Sequence, residues 1–314
     1  MSMEHIAPKR VVAPERWWDG DLAYDFRHSP VAIIALLVTV LLVAAAAGAP
    51  WIAPYDVMDP ANANVIDARL PPGSLGMMGQ HYLLGTDPQG RDMLSAVIFG
   101  LRTSLYVGGV SVMLAALVGI VLGLIAGYHG GVFDALIMRI ADIQSSFPAI
   151  LIALLIDGVS RTLMDRSAHD ALATTVLIVA IAASFWVQYA RTVRGLVLIE
   201  RDKDYVLAAK VTGIGPLRIV FQHIRPNVLG PVLVIATINL ALAILTEATL
   251  SFLGVGVPPT TPSLGSLVRV GNEFLFSGDW WISVIPGAVL VLLSLAVNLL
   301  GDWLRDALNP RLSG

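Results

Sequence analysis

Stretches free of Asp, Glu, Lys and Arg divide this chain more sharply than any other pattern. Pro30 to Tyr55 is one, Thr103 to Phe133 a second, and Ala171 to Ala190, Pro226 to Thr246 and Trp280 to Gly301 follow. Each reaches the about 20 apolar residues that carry a helix across the hydrocarbon of a bilayer. Asp134 to Ile156 is a weaker stretch with Arg139 and Asp142 near its start, and Gly130-Gly131 reads as the turn before it. The pattern therefore predicts six transmembrane helices, at 31–53, 104–128, 134–156, 171–192, 228–252 and 282–302. Ala44 to Ala49 resembles a signal-peptide cleavage region, but the apolar run begins only at Pro30 and is too long for one. A retained helix is expected.

Basic residues set the expected orientation. Lys9, Arg10, Arg16 and Arg27 precede the first span, Arg191, Arg194, Arg201, Lys203, Lys210, Arg218 and Arg225 lie in 191–227, and Arg305 and Arg311 follow the last. The opposing segments hold only Arg69, Arg91, Arg102, Arg161, Arg166 and Arg269. Both termini should be cytoplasmic, which six crossings allow. That gives a cytoplasmic tail over 1–30, an extracytoplasmic extension over 54–101 and a cytoplasmic tail over 303–314. The extension is rich in Pro, Gly and Asn up to Gly79, as a surface loop would be. From Arg91 to Leu101, apolar residues at Met93, Leu94, Val97, Ile98 and Leu101 predict an amphipathic helix along the outer membrane surface.

Composition agrees with a membrane protein. Hydrophobic residues are 56% of 314 and charged residues 14%, against about 25% charged in soluble domains. A soluble fold of this size has too little interior for that excess. A net charge of −3 gives no sign of a nucleic-acid partner. The absence of cysteine excludes disulfides and thiolate chemistry, and six scattered histidines without an i, i+4 pair argue against a zinc site.

The one large cytoplasmic segment between spans, 191–227, carries the functional expectation. Asp202 and Asp204 suit a helix start. Tyr205, Ala208, Ala209 and Thr212 then share one face. Gly213 and Gly215 break the helix, Pro216 suits the first turn of the next, and Pro226 is expected to end it. Leu217, Val220, Phe221 and Ile224 form its apolar stripe. Two short helices meeting at a glycine elbow are either an ordinary loop packed on its own bundle or a plug. In the second case Ala-Ala-xxx-Gly lets the backbone approach another protein's groove closely, as transmitting a push demands.

At these residues the chain resembles the permease subunits of ABC importers, in particular the dipeptide/oligopeptide branch. Leu207-Ala208-Ala209-Lys210-Val211-Thr212-Gly213 is similar to the branch's EAA-xxx-G loop, with Leu207 at the glutamate position, and His223-Ile224-Arg225-Pro226-Asn227 to its H-I-L-P-N ending, with Arg225 at leucine. Leu84 to Asp92, Gly100 to Leu105, Ala126 to Gly131, Glu247 to Gly256 and Asn298 to Asp302 resemble further branch segments. Leu264 departs from a typical tryptophan. The resemblance spans 30–312. It implies an all-α membrane protein with a five-helix type I importer core at 102–302, preceded by one extra helix, in the bacterial inner membrane. It also implies a second homologous permease as partner in a heterodimer, two cytoplasmic ATPases and an extracytoplasmic solute-binding protein. ATP and magnesium belong to the ATPases. This chain has no phosphate-binding G-xxxx-GK-[ST] loop and is expected to bind no cofactor and to catalyse nothing. Asp204, Tyr205, Ala208, Ala209, Gly213, Gly215, Pro216 and Pro226 are then the residues that couple to the ATPases, and the cargo is peptides or a similar small solute moved by alternating access.

Polar groups inside spans are costly and mark candidates for the pathway or its gate. Glu247 either lines a cavity that receives a peptide amino group or makes a structural hydrogen bond to a neighbouring helix. Asn239, two turns deeper, borders the same cavity or points away from it. Arg139 and Asp142, three residues apart, read as a mutually neutralising pair that stabilises structure or gate. Pro148 permits a kink. Gly119, Gly123 and Gly127 form a small-xxx-small stripe for close packing, within the chain or with the partner. Trp17-Trp18 and Trp280-Trp281 read as interfacial anchors. The competing classes are an ion-coupled secondary transporter, for which no internal repeat is visible, and an intramembrane enzyme, for which facing catalytic pairs are lacking.

Overall fold

The structure, a computed structural model, describes residues 21–59, 64–258 and 260–307. Lys9, Arg10, Arg16, Trp17, Trp18 and Arg311 lie outside them.

The predicted first span is two helices. Short α1 (Asp21–His28) precedes α2 (Pro30–Ala47), which Ser29 caps by accepting from the Ala32 amide at 3.3 Å; Gly48 then separates α2 from α3 (Ala49–Ile52). A small hairpin, β1 (Ser74–Leu75) with β2 (His81–Tyr82), marks the extension.

The expected surface helix at 91–101 is not separate. It is the first part of α4 (Met93–His129), a single 37-residue helix capped by Asp92, whose carboxylate accepts from the Ser95 amide at 2.8 Å. Met93, Ala96, Val97, Phe99 and Leu101 are buried in protein rather than facing lipid headgroups. Gly100 permits this, because a Cβ there would sit 3.2 Å from the Ser263 carbonyl carbon just before α11 (Leu264–Phe274).

The expected third span is broken as well. α5 (Gly131–Ser145) and α6 (Ala149–Leu163) meet at 94°. Pro148 is the cause: it disfavours helical geometry in Phe147, so α5 must end and a new helix begin after the proline. Instead of kinking a span, Pro148 starts one. α7 (Arg166–Glu200) runs 35 residues, well beyond the predicted 171–192. α8 (Asp204–Val211) and α9 (Pro216–Ile219) form the loop, and α10 (Arg225–Phe252) and α12 (Trp281–Ala307) complete the bundle. Five of these helices are long and apolar enough to cross a membrane, and the bent α5–α6 pair makes six if it counts as one span.

Pro226 does not end the helix of α9. The backbone runs on helically from Pro216 to Phe252 through a π turn at Val220–Ile224, in which the Arg225 amide bonds the Val220 carbonyl. The wider turn takes up the mismatch that a proline without an N–H creates.

The Gly119–Gly123–Gly127 stripe packs within the chain. A Cβ at Gly119 would lie 2.4 Å from Tyr189 Cβ, at Gly123 2.7 Å from the Ala190 oxygen and at Gly127 2.7 Å from Val197 Cβ. The stripe therefore sets the α4–α7 spacing.

The extension is knotted around Asp67, whose carboxylate accepts from Asn64 Nδ2 at 2.8 Å, the Met77 amide at 2.9 Å and the Tyr82 hydroxyl at 3.3 Å. Burial, reinforced by Asp67, pushes the Tyr82 hydroxyl up to about 12 from its ordinary 10.0. The raised value means that the extension keeps this stabilisation below pH 10 and loses it as pH climbs toward 12. A tyrosinate absorbance titration of wild type minus Tyr82→Phe is expected to show one tyrosine ionising near 12; a difference titrating at 10 contradicts the buried contact. Trp281 ties the extension to the bundle, donating from Nε1 to the Thr86 carbonyl at 3.2 Å.

Candidate coupling loop and membrane-embedded polar residues

Between α7 and α10 the chain makes a compact elbow. α8 begins at Asp204, where its carboxylate meets the positive end of the helix. Gly213 adopts φ +79, a left-handed conformation that a side chain would strain, and turns the chain toward Gly215 and Pro216. Pro216 occupies the first turn of α9, where its missing N–H costs nothing.

Tyr205 locks the two sides of this elbow. Its hydroxyl donates to Glu200 at the end of α7 and accepts from Asn227 Nδ2 at 3.0 Å at the start of α10, while its ring stacks on His223. Burial, and then the Glu200 carboxylate, hold that hydroxyl above its ordinary value, so it remains a donor at neutral pH. Lys203 pairs with Glu200 at 2.5 Å.

The small residues divide between two faces. Val206 and Ala209 are buried with Ile219, Val220 and Ile224 in the bundle core, whereas Ala208 is exposed. Of the four residues expected to form one apolar stripe on the second helix, Val220 and Ile224 turn inward and Leu217 and Phe221 outward. Leu207, Val211, Leu217 and Phe221 thus form an outward apolar surface on a rigid support, with Val211 88% and Leu217 72% exposed.

The membrane-embedded candidates part company. Glu247 is 0% exposed: it accepts from Ser104 Oγ and Ser251 Oγ, each at 2.7 Å, and Ser104 Oγ in turn accepts from the Leu264 amide at 3.2 Å. It joins α4, α10 and α11. Asn239 is 1% exposed and faces the buried Tyr189. Arg139 and Asp142 do not neutralise each other. Asp142 turns to Arg191 of α7 at 2.8 Å, and no ion pair among the described residues includes Arg139. A second rung, Asp134 with Arg194 at 2.6 Å, again ties α5 to α7. Cross-helix contact outweighs sequence spacing here, because Asp142 is within reach of Arg191 on α7.

The break before Pro148 sits opposite residues 183–187, halfway along α7. Non-helical backbone at such depth must be held by protein or line a watery cavity. Gln144 does part of this, bonding the Ala183 carbonyl and accepting from Trp186 Nε1 at 2.8 Å. Sequence reasoning also missed a cluster on α6 and α7 in which Asp157 and His169 are buried and Arg161 is exposed. Asp157 holds Arg161 Nε at 2.6 Å and His169 Nε2 at 3.2 Å. Its signal was present as an Asp-xxx-Arg pair one residue past the predicted end of the third span.

Residues 119–314 match the family described as binding-protein-dependent transport system inner membrane component. The chain belongs to this family. Residues 17–72 match the N-terminal TM domain of oligopeptide transport permease C. This inner membrane component is 38% identical over 289 residues to the dipeptide transport system permease protein DppC of Haemophilus influenzae, covering 92% of this chain and 93% of the relative. It is 39% identical over 289 residues to the di/tripeptide transport system permease protein DppC of Pseudomonas aeruginosa, covering 92% and 90%. To the oligopeptide transport system permease protein OppC of Bacillus subtilis it is 34% identical over 296 residues, covering 94% and 90%. A chain of the inward-facing MetNI methionine ABC transporter superposes with a TM-score of 0.54 at 20% identity, over 69% of this chain and 98% of that one, which speaks for the fold alone. The inner membrane component is accordingly a multi-pass helical protein with a type I importer fold.

Proposed function

We propose that this chain is one of two homologous membrane halves of an ATP-driven importer of short peptides, with both termini and the 191–227 loop cytoplasmic. Two ATPases grip the elbow 204–226 and supply ATP and magnesium chemistry, and an extracytoplasmic solute-binding protein delivers the cargo. The observation that carries this reading is the outward apolar surface of Leu207, Val211, Leu217 and Phe221 on an elbow that Tyr205 makes rigid. An exposed apolar patch on a stiff support is suited to a partner's groove. The names of the relatives support peptides as cargo.

Val211→Glu with Leu217→Glu is expected to leave the membrane bundle folded, because both side chains are exposed. The same change is expected to lower ATPase co-purification and ATP-driven peptide uptake about tenfold, as losing a small apolar anchor does at an interface. Unchanged co-purification and uptake sink the elbow's role. Uptake that needs an ion gradient and survives without ATP favours the ion-coupled secondary transporter instead.

A further inference from the structure

Opposite the elbow, the far ends of α6, α7, α10 and α11 enclose a cleft of about 330 Å3 whose floor and walls carry charge of both signs. Arg161, Asp170, Arg269 and Glu273 all line it. The volume is at the small end of the about 300–1,000 Å3 typical of small-molecule sites.

Two of its three guanidinium groups, those of Arg161 and Arg269, lie against defined neighbours. Arg161 spends Nε on Asp157, which is itself buried and fixed by His169, so its two terminal nitrogens remain donors. Arg269 lies flat over Gly254: a Cβ at that position would stand 2.3 Å from Nη1 and 2.8 Å from Cζ. Gly254 also has φ +84, so backbone and side-chain space both require glycine there. Arg91, the third arginine of the cleft, is only 8% exposed and is tied through Nε to Asp87 at 2.7 Å, which leaves the two exposed arginines to meet a ligand. Glu273 is one helical turn from Arg269 on α11, yet no ion pair joins them among the described residues. Asp170 stands 3.9 Å from His169 and is mostly exposed.

We propose that this cleft binds a zwitterion, its carboxylate on Arg269 and Arg161 and its ammonium on Glu273 and Asp170. A fixed guanidinium fork matches a carboxylate in two parallel hydrogen bonds, and separated anions match an ammonium. The membrane subunit itself then selects for free termini, in addition to any selection by the delivering protein. This inference rests on the importer reading above and names where that cargo first touches the permease.

The test uses the assembled complex of both permeases and both ATPases in nanodiscs, without binding protein, titrated calorimetrically with Ala-Ala, N-acetyl-Ala-Ala and Ala-Ala-amide. Ala-Ala is expected to bind at least about tenfold more tightly than either blocked form. Arg269→Gln should erase the preference over the amide, and Glu273→Gln the preference over the acetylated form. Both residues are exposed, and size exclusion of each variant complex checks that it assembles. Equal binding of the three probes to the wild-type complex overturns the proposal, as does Arg269→Gln keeping full preference. It is also overturned if the variants weaken only docking of the solute-binding protein. Uptake of labelled Ala-Ala by the wild-type complex with binding protein separates the two readings. Uptake without a cleft preference sinks only the cleft, while no uptake with ATP present sinks the peptide cargo as well.

Discussion

Gly119→Leu is expected to abolish most of the folded protein, with the monodisperse fraction after detergent extraction falling about tenfold or more. A Cβ alone would stand 2.4 Å from Tyr189 Cβ and 2.6 Å from the Trp186 carbonyl, and neither is the loose end of a flexible chain. Relief requires α4 and α7 to separate, and the separation propagates to Gly123 and Gly127, where a Cβ would stand only 2.7 Å from its nearest neighbour. Overpacking a fitted core costs about 1–3 kcal/mol when side chains can yield, and here backbone would have to. Gly109→Ala is the control, since nothing lies within 4 Å of a Cβ there. Fluorescence-detected size exclusion and thermal melts of the two variants measure the contrast. A Gly119→Leu protein as stable as Gly109→Ala would show that α4 and α7 do not meet along this stripe.

Glu247→Ala is expected to be the second most damaging change. It removes the shared acceptor of Ser104 and Ser251 in a place without water, and a buried polar group without its partner costs about 1–3 kcal/mol. It also leaves a void where three helices converge, so a total of about 3–5 kcal/mol follows. Glu247→Gln retains an acceptor oxygen and nearly the same volume and should lose far less. Thermal unfolding of both variants tests this order. If Glu247→Ala melts like the wild type while uptake collapses, the carboxylate serves the transport path and is not a tie.

Some of this architecture was legible in the chain and some was not, for identifiable reasons. Charge-free stretches located every long helix, because the cost of a charge in hydrocarbon is a one-dimensional signal. The glycine elbow was legible too, since Gly213, Gly215 and Pro216 act on their own backbone. What a residue faces is a different kind of fact. Ala208 and Ala209 are neighbours in sequence, yet one is exposed and the other sits in the core. Asp142 had a suitable arginine three residues earlier and took one from α7. The 91–101 stretch has the spacing of a surface helix, and only the proximity of α2, α3, α11 and α12 makes it the buried start of α4. Pro148 and Pro226 were both recognised as interruptions, but a proline does not announce whether the chain will turn sharply or widen one turn and continue. At 148 it turns. At 226 it widens.

That widened turn has a mechanical corollary. With the chain helical from Pro216 to Phe252, 37 residues make one lever about 55 Å long, and Glu247 is bolted near its distal end. Val220–Ile224 gives it slack, because a π turn can slip one residue into tighter register without breaking the rod, and Pro231, with no N–H for the turn before it, is a second yielding point. Any displacement of the elbow is therefore either delivered to the opposite side of the membrane or absorbed between Val220 and Pro231, close to where it entered.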